Sequence, residues 1–411
     1  MSLLNLTLQP PIPLEEQLHK GLITALSFSP SGNLLASASN DGKLLVFATT
    51  SGDLVDCIEM RQRAFSCIVW LSDTRIIVGI STGTILVFDT LEKDLRCNAF
   101  RVHRRGVQHM AYQDGVIASA TGPEILISSL QDNGMEDEWA VMNTMAHPDS
   151  SDFNTCSSAP PMIVTSIHWG ARPTSAQPGT LIVGYIHHGI SIWDLKTYTL
   201  LRTLPGTAEI TIGSVALSLE QNLLVLSNDT SSSLDLYNLK YMSKTRSIVS
   251  SKPSGMTPLS GRRSPIWHVP VQFAFGGRVI VGGRDEDGNP GIWQLSSETP
   301  KQALNHSFSQ EDSRSVSAIA QCHTDASNYY TWIATATTLG IMDRAFLYPS
   351  VYIWRATKRE SPPMQKQIKH ADPRHVAKRR RSFQRYSCYI LLCFILYVIA
   401  LAYSLAVDNG M

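Results

Sequence analysis

Charged side chains are scarce in this chain of 411 residues: only 17% are Asp, Glu, Lys or Arg, and the formal net charge is +1. A chain so weakly charged, with 43% hydrophobic residues, is no solvated polyelectrolyte and has ample material for a core. Cysteine is sparse too. The seven cysteines are odd in number and scattered, and no pair has C-x-x-C or zinc-like spacing. That argues against a disulfide framework and a zinc module, and fits free cytosolic thiols. No G-x-S-x-G or H-E-x-x-H occurs, so serine-hydrolase and zincin chemistry lose their usual signatures. The opening residues MSLLNLTLQPPIPLEEQLHKG have neither a basic n-region nor a long apolar run. They do not read as a signal peptide, and the folded part is expected to stay cytosolic.

The remaining polar clusters offer little chemistry. His187–His188 falls at a strand-to-strand turn without a spaced third ligand, and reads as a turn pair. Asp285–Glu286–Asp287–Gly288–Asn289 lacks the closing glutamate of a calcium loop and lies where a hairpin turn is needed. Gly276–Gly277 and Gly282–Gly283 flank Val279–Ile280–Val281, and no helix follows to make a dinucleotide site. The expectation is a protein without catalytic residues, cofactor or metal.

What the chain has is repetition. Residues 22–52, LITALSFSPSGNLLASASNDGKLLVFATTSG, contain three short apolar runs separated by Pro30–Ser31–Gly32 and Asn40–Asp41–Gly42. Alternating runs broken by such turns are antiparallel strands in hairpins. The pattern returns at 65–90, 107–130, 163–204, 213–239, 271–295 and 315–357. The position ending each third run reads Phe47, Phe88, Ile127, Trp193, Tyr237, Trp293 and Trp354. The spacing is near the period of about 40–45 residues of propeller blades. The polar insertions 131–161, 171–179, 241–266 and 296–314 read as exposed rim loops.

These units resemble WD-repeat proteins over roughly residues 20–357. The Trp-Asp signature stands as Trp193–Asp194 and, softened, as Phe88–Asp89; Phe47–Ala48, Trp293–Gln294 and Trp354–Arg355 depart from it. The Gly-His pair of the family is missing, His19–Lys20–Gly21 being its nearest relic. The family's buried His–Asp network is therefore expected to be mostly absent. The resemblance implies an all-β, seven-bladed WD40-type β-propeller over residues 1–357. Residues 3–8 are expected to supply the strand that closes the last blade, an isolated N-terminal arm being the competing reading.

Charge is unevenly placed. Residues 1–357 carry 25 basic and 31 acidic groups, a net of −6, whereas 358–385 carry 10 basic and 2 acidic, a net of +8. Basic charge so confined marks 358–385 as a linker and argues against nucleic acid as partner of the folded part. Residues 386–407, YSCYILLCFILYVIALAYSLAV, contain no charge. As one C-terminal transmembrane α-helix they would span about 33 Å against a hydrocarbon core of about 30 Å. Lys378, Arg379, Arg380, Arg381 and Arg385 precede this segment, and 408–411 follow it. The positive-inside rule then predicts a tail-anchored, single-pass protein with its propeller in the cytosol, a basic collar able to meet anionic lipids, and a short luminal tail. The endoplasmic reticulum or a connected endomembrane is the expected location.

The leading functional expectation is a non-enzymatic scaffold or adaptor that binds protein partners on its rim. Two alternatives are kept. His103–Arg104–Arg105–Gly106 resembles the Phe-Arg-Arg-Gly motif of phosphoinositide-binding propellers, which makes Arg104 and Arg105 candidate lipid-headgroup contacts. Its first position departs from that motif, and it lies early in the chain. A membrane-anchored guanine-nucleotide exchange regulator of a small GTPase is the other alternative, by likeness of layout.

Overall fold

The computed structural model describes residues 6–14, 18–60, 63–90, 97–132, 137–146, 162–170, 179–231, 233–249, 270–282, 289–295, 302–304, 306, 315–322, 330–338 and 349–358. The segment 386–407 and the collar residues Lys378, Arg379, Arg380, Arg381 and Arg385 lie outside them. Among the described residues no helix is long and apolar enough to cross a membrane.

The described strands form seven antiparallel sheets, six of them built from strands consecutive in the chain. Blade 1 runs Ile23–Phe28, Leu34–Ser39, Lys43–Ala48 and Leu54–Glu59. Blade 2 runs Phe65–Ser72, Arg75–Ile80, Thr84–Asp89 and Cys97–Arg101. Blade 3 runs His109–Gln113, Val116–Thr121, Glu124–Asp132 and Asp137–Ala146. Blades 4 to 7 follow over 164–203, 212–249, 271–303 and 315–358. The first strand of each blade packs against the first strand of the next, and Ser315–Cys322 packs against Ile23–Phe28. The ring is therefore closed, and the protein is a seven-bladed β-propeller. Leu6–Leu8 pairs antiparallel with Val351–Lys358, with Leu8 opposite Ala356 and Leu6 opposite Lys358, and Ile12–Pro13 extends the same edge. One blade thus takes strands from both ends of the domain.

The second strand of each blade explains how neighbours stack. One position reads Ala38, Gly79, Ala120, Gly184, Ser227 and Ala336 in six blades, all buried. A Cβ on Gly79 would lie 2.6 Å from Cys67 Sγ and 2.9 Å from Val107 Cβ of the next blade. A small residue is needed where the next inner strand closes in. The inner strands also hook together. Thr24 Oγ1 donates to the Phe65 carbonyl at 2.9 Å, and Ser66 Oγ donates to the Val107 carbonyl. Both hydroxyls sit at a register shift at the head of the inner strand, where a bulge re-aims a side chain toward its neighbour.

The third-strand column packs toward the preceding blade. Phe47, Phe88, Trp193, Tyr237, Trp293 and Trp354 are all buried, each in a cluster with residues of the blade before it. Burying a side chain of this size contributes about 1.5–3 kcal/mol. Blade 3 corrects the sequence reading. Its second-to-third-strand turn is one residue shorter: Ala120 pairs with Ile125, whereas Ala38 pairs with Leu44. Ser128, opposite Ile117, holds the column position, and Ile127 faces blade 4. A slip of one residue moves a side chain to the other face.

The insertions also need correction. Asp137–Ala146, Ser243–Val249 and Gln302–Ala303 are outer strands of blades 3, 5 and 6, within segments expected to be loops. An outermost strand has one edge in solvent, so its sequence lacks apolar alternation.

Candidate functional site

One face of the ring gathers the loops that link successive blades and the turns between second and third strands. Backbone hydrogen bonds join the two sets: Asn40 N to Leu22 O at 3.0 Å, Met60 N to Gly42 O at 2.8 Å, and Val102 N and His103 N both to Gly83 O at 3.0 Å. Gly83 has φ +84°, and a Cβ there would strike the carbonyls of His103 and Arg105. Only glycine allows the 102–106 loop to lie this close.

His103 holds that loop. It is 3% exposed. Its Nε2 lies 2.9 Å from Ser119 Oγ, and its Nδ1 lies 3.1 Å from Glu124 Oε2. The same arrangement occurs in blade 1, where His19 Nε2 meets Ser37 Oγ at 2.9 Å and Nδ1 faces Asp41 Oδ2 at 3.6 Å. The latter is an electrostatic contact, too long for a hydrogen bond. Burial lowers the His19 pKa, opposed by the Asp41 charge. Asp41 is held below the usual carboxylate range: burial would raise it, but amide hydrogen bonds from Lys20 and Lys43 and the His19 charge prevail. Among the described residues the His–acid pair is thus present in two of the seven blades, 1 and 3. The Gly-His pair is no guide to it, because His103 follows Val102 and its acid is a glutamate.

Two indoles occupy the matching level elsewhere. Trp354 Nε1 donates to Thr335 Oγ1, and Trp293 Nε1 donates to the Gly282 carbonyl, both at 2.8 Å. His306, in the loop entering blade 7, is buried and stands edge-on to Tyr352 and Trp354, with centroids at 5.0 and 5.6 Å. Burial brings its pKa down to about 4.

Arg104 and Arg105 follow the His103 anchor directly and are exposed on the rim. The first residue of the motif is therefore an internal bolt, and the two guanidinium groups project from a loop whose backbone is fixed. His187 lies in the turn 186–188, with Nδ1 3.5 Å from Thr211 Oγ1. Of the acidic run in blade 6, only Asn289 is among the described residues; its Oδ1 accepts from His306 N at 3.1 Å. Phe275, Gly276 and Gly277 all have positive φ and turn the chain into Val279–Gly282, so a strand follows where a dinucleotide site needs a helix. No group of three or more His, Cys, Asp or Glu among the described residues could hold a metal ion. Cys57, Cys67, Cys97 and Cys322 are free thiols, and burial pushes Cys67 up to about 12, which leaves it unreactive.

Two hollows lie away from this face. A cavity of about 230 Å³ between blades 3 and 4 is lined by Val116, Ile127, Met142, Trp169, Leu195 and Tyr198. Another, of about 290 Å³, is bordered by His168, Leu217, Phe273 and Gln321 of four successive inner strands.

The profile of the family described as the anaphase-promoting complex subunit 4 WD40 domain matches residues 12–73. That stretch covers the Ile12–Pro13 pairing, blade 1 and the head of blade 2. No curated protein matches the chain.

Proposed function

We propose that this chain is a non-enzymatic scaffold that offers its propeller rim to protein partners on the cytosolic face of a membrane. The observation that carries the reading is the closed ring of seven blades with rim loops pinned from below by buried groups such as His103. A rim whose backbone is already fixed loses little conformational entropy on binding. Similarity to the WD40 domain of a complex subunit over 12–73 supports an assembly role. Blades suit this work because their loops vary while the stacked sheets do not.

The membrane part of the proposal rests on residues 386–407 and on the collar Lys378, Arg379, Arg380, Arg381 and Arg385. The uncharged segment serves as the anchor, 358–385 as the basic linker, and 408–411 as the luminal end. The test uses cells expressing the full chain as a fluorescent fusion beside a form lacking 386–411. The expected result is membrane fluorescence for the first and diffuse cytosolic fluorescence for the second. Equal membrane retention of both forms removes the anchor from the proposal. Crosslinked affinity purification of the full chain reads the scaffold part: recovery of no protein at stoichiometric yield counts against it.

A further inference from the structure

We infer that Lys20, Arg63, Arg104 and Arg105 form a basic arc over blades 1 to 3 that docks an extended acidic segment of a protein partner. The proposal deepens the scaffold reading and rests on it.

The arc arises from repetition that the sequence hides. Ile23, Phe65 and Val107 are each fully buried at the entrance to their blade. Lys20 lies three residues before Ile23, Arg63 two before Phe65, and Arg104 and Arg105 three and two before Val107. All four basic side chains are exposed. The three loops are neighbours, because Thr24 Oγ1 bonds the Phe65 carbonyl and Ser66 Oγ bonds the Val107 carbonyl. The basic groups therefore follow one another along the same rim of adjacent blades.

Described residues of each loop are tied to the turn beneath them. Lys20 N and Gly21 N both donate to Asp41 Oδ2, at 2.6 and 3.2 Å. Arg63 N donates to Met60 O at 3.4 Å, and Met60 N to Gly42 O. The 102–106 loop is bolted by His103 and by the two amides on Gly83 O. A Cβ on Gly106 would meet the Ser81 backbone at 3.0 Å, so this loop also rests on the preceding turn. The cations are thus presented by a preformed backbone.

The surroundings choose the partner. The domain as a whole is acidic, 31 acidic against 25 basic groups over 1–357, so the arc is a local exception. Glu59 is exposed at the same end of blade 1, and Glu124 is 43% exposed beside His103. A flat anionic bilayer would have to cover these carboxylates together with the cations, within a Debye length of about 8 Å. A peptide places its carboxylates one at a time and passes between them. Facing sheets lie roughly 10 Å apart, so the three blades span about 20 Å, or about six extended residues at about 3.3 Å each. The arc accordingly fits a short extended segment with acidic side chains spaced along it.

The test measures fluorescence anisotropy of a labelled deca-glutamate peptide with the full chain in non-ionic detergent. Four proteins are compared: the natural chain; Lys20→Gln/Arg63→Gln/Arg104→Gln/Arg105→Gln; Arg104→Gln/Arg105→Gln; and a control, Lys196→Gln/Arg202→Gln/Lys240→Gln, whose exposed cations lie on blades 4 and 5. The proposal expects salt-sensitive binding, a loss of at least tenfold in the quadruple variant, an intermediate loss in the double variant and under twofold change in the control. All substituted side chains are exposed, and unchanged circular dichroism confirms folding. Equal losses in the control and quadruple variants overturn the arc, as does binding unchanged in all four. Soluble short-chain phosphoinositide is the competitor. If it binds more tightly than the peptide and only through Arg104 and Arg105, the partner is a lipid headgroup and the inference falls. Affinity purification separates this failure from that of the scaffold reading: a quadruple variant that keeps every stoichiometric partner of the natural chain sinks the arc and leaves the scaffold standing.

Discussion

His103 Nε2 lies 2.9 Å from Ser119 Oγ in the interior of blade 3, while the two arginines that follow His103 are exposed. The imidazole ties the loop between blades 2 and 3 to the second strand of blade 3. Replacing it with alanine leaves Ser119 without that partner and the loop without its bolt. His103→Ala is expected to destabilise the domain by about 2–3 kcal/mol, read as a lower urea midpoint. Glu124→Gln is expected to lose under about 1 kcal/mol, because its carboxylate is 43% exposed and screened by solvent. A midpoint for His103→Ala equal to that of the natural protein would contradict the anchoring role.

Gly79 is a packing site. Its missing Cβ makes room for Cys67 Sγ and Val107. Gly79→Val is expected to lose about 3 kcal/mol or more through overpacking between blades 2 and 3. Gly115 is the contrast: it has φ +83° and no heavy atom within 4 Å of an added Cβ. Gly115→Ala is expected to lose only about 1 kcal/mol from backbone strain. Thermal melting of the two variants should rank them in that order.

Closure of the ring depends on a short strand. Leu6–Leu8 covers the edge of Val351–Lys358, and Gln9 N donates to Arg355 O at 3.0 Å. Removing residues 1–14 exposes that edge and the apolar contacts of Leu8 and Leu14. The expected outcome is lower thermal stability together with self-association, since an open edge pairs with other chains. Light scattering during heating checks both. A monodisperse truncated protein with natural stability would show that the strand is dispensable.

Acid should weaken the fold through His306. Its folded pKa is down at about 4, whereas the ordinary value is 6.5. Between those values the unfolded chain binds a proton that the folded chain does not. This stability is therefore complete above pH 6.5 and is lost as pH falls toward 4. The loss is on the order of 3 kcal/mol. His19 and His168, also lowered by burial, act in the same direction. His306→Leu removes the titrating group, and its urea midpoint should change less between pH 7.5 and 5 than that of the natural protein. Parallel profiles for the two would exclude His306 as a source.

Much of the propeller was legible because strand alternation is local. Six of the seven third-strand residues read from the repeat are the buried column seen in the fold. The seventh failed at Ile127, where a turn one residue shorter put Ser128 in the column. The outer strands at 137–146 and 243–249 escaped notice because their exposure erases the apolar signal. The column Ala38, Gly79, Ala120, Gly184, Ser227 and Ala336 was readable as a run of small residues at blade spacing.

The sequence by itself determined seven hairpin units, their inner faces and an uncharged segment at 386–407, because hydrophobic period and run length depend only on neighbouring residues. Tertiary structure decided that His103 is a bolt while Arg104 and Arg105 face solvent, which of the two readings of the N-terminal strand holds, by pairing Leu6–Leu8 with blade 7, and that Lys20, Arg63 and Arg105 share one rim. Those relationships join residues far apart in the chain, and only the stacking of blades into a closed ring brings them together.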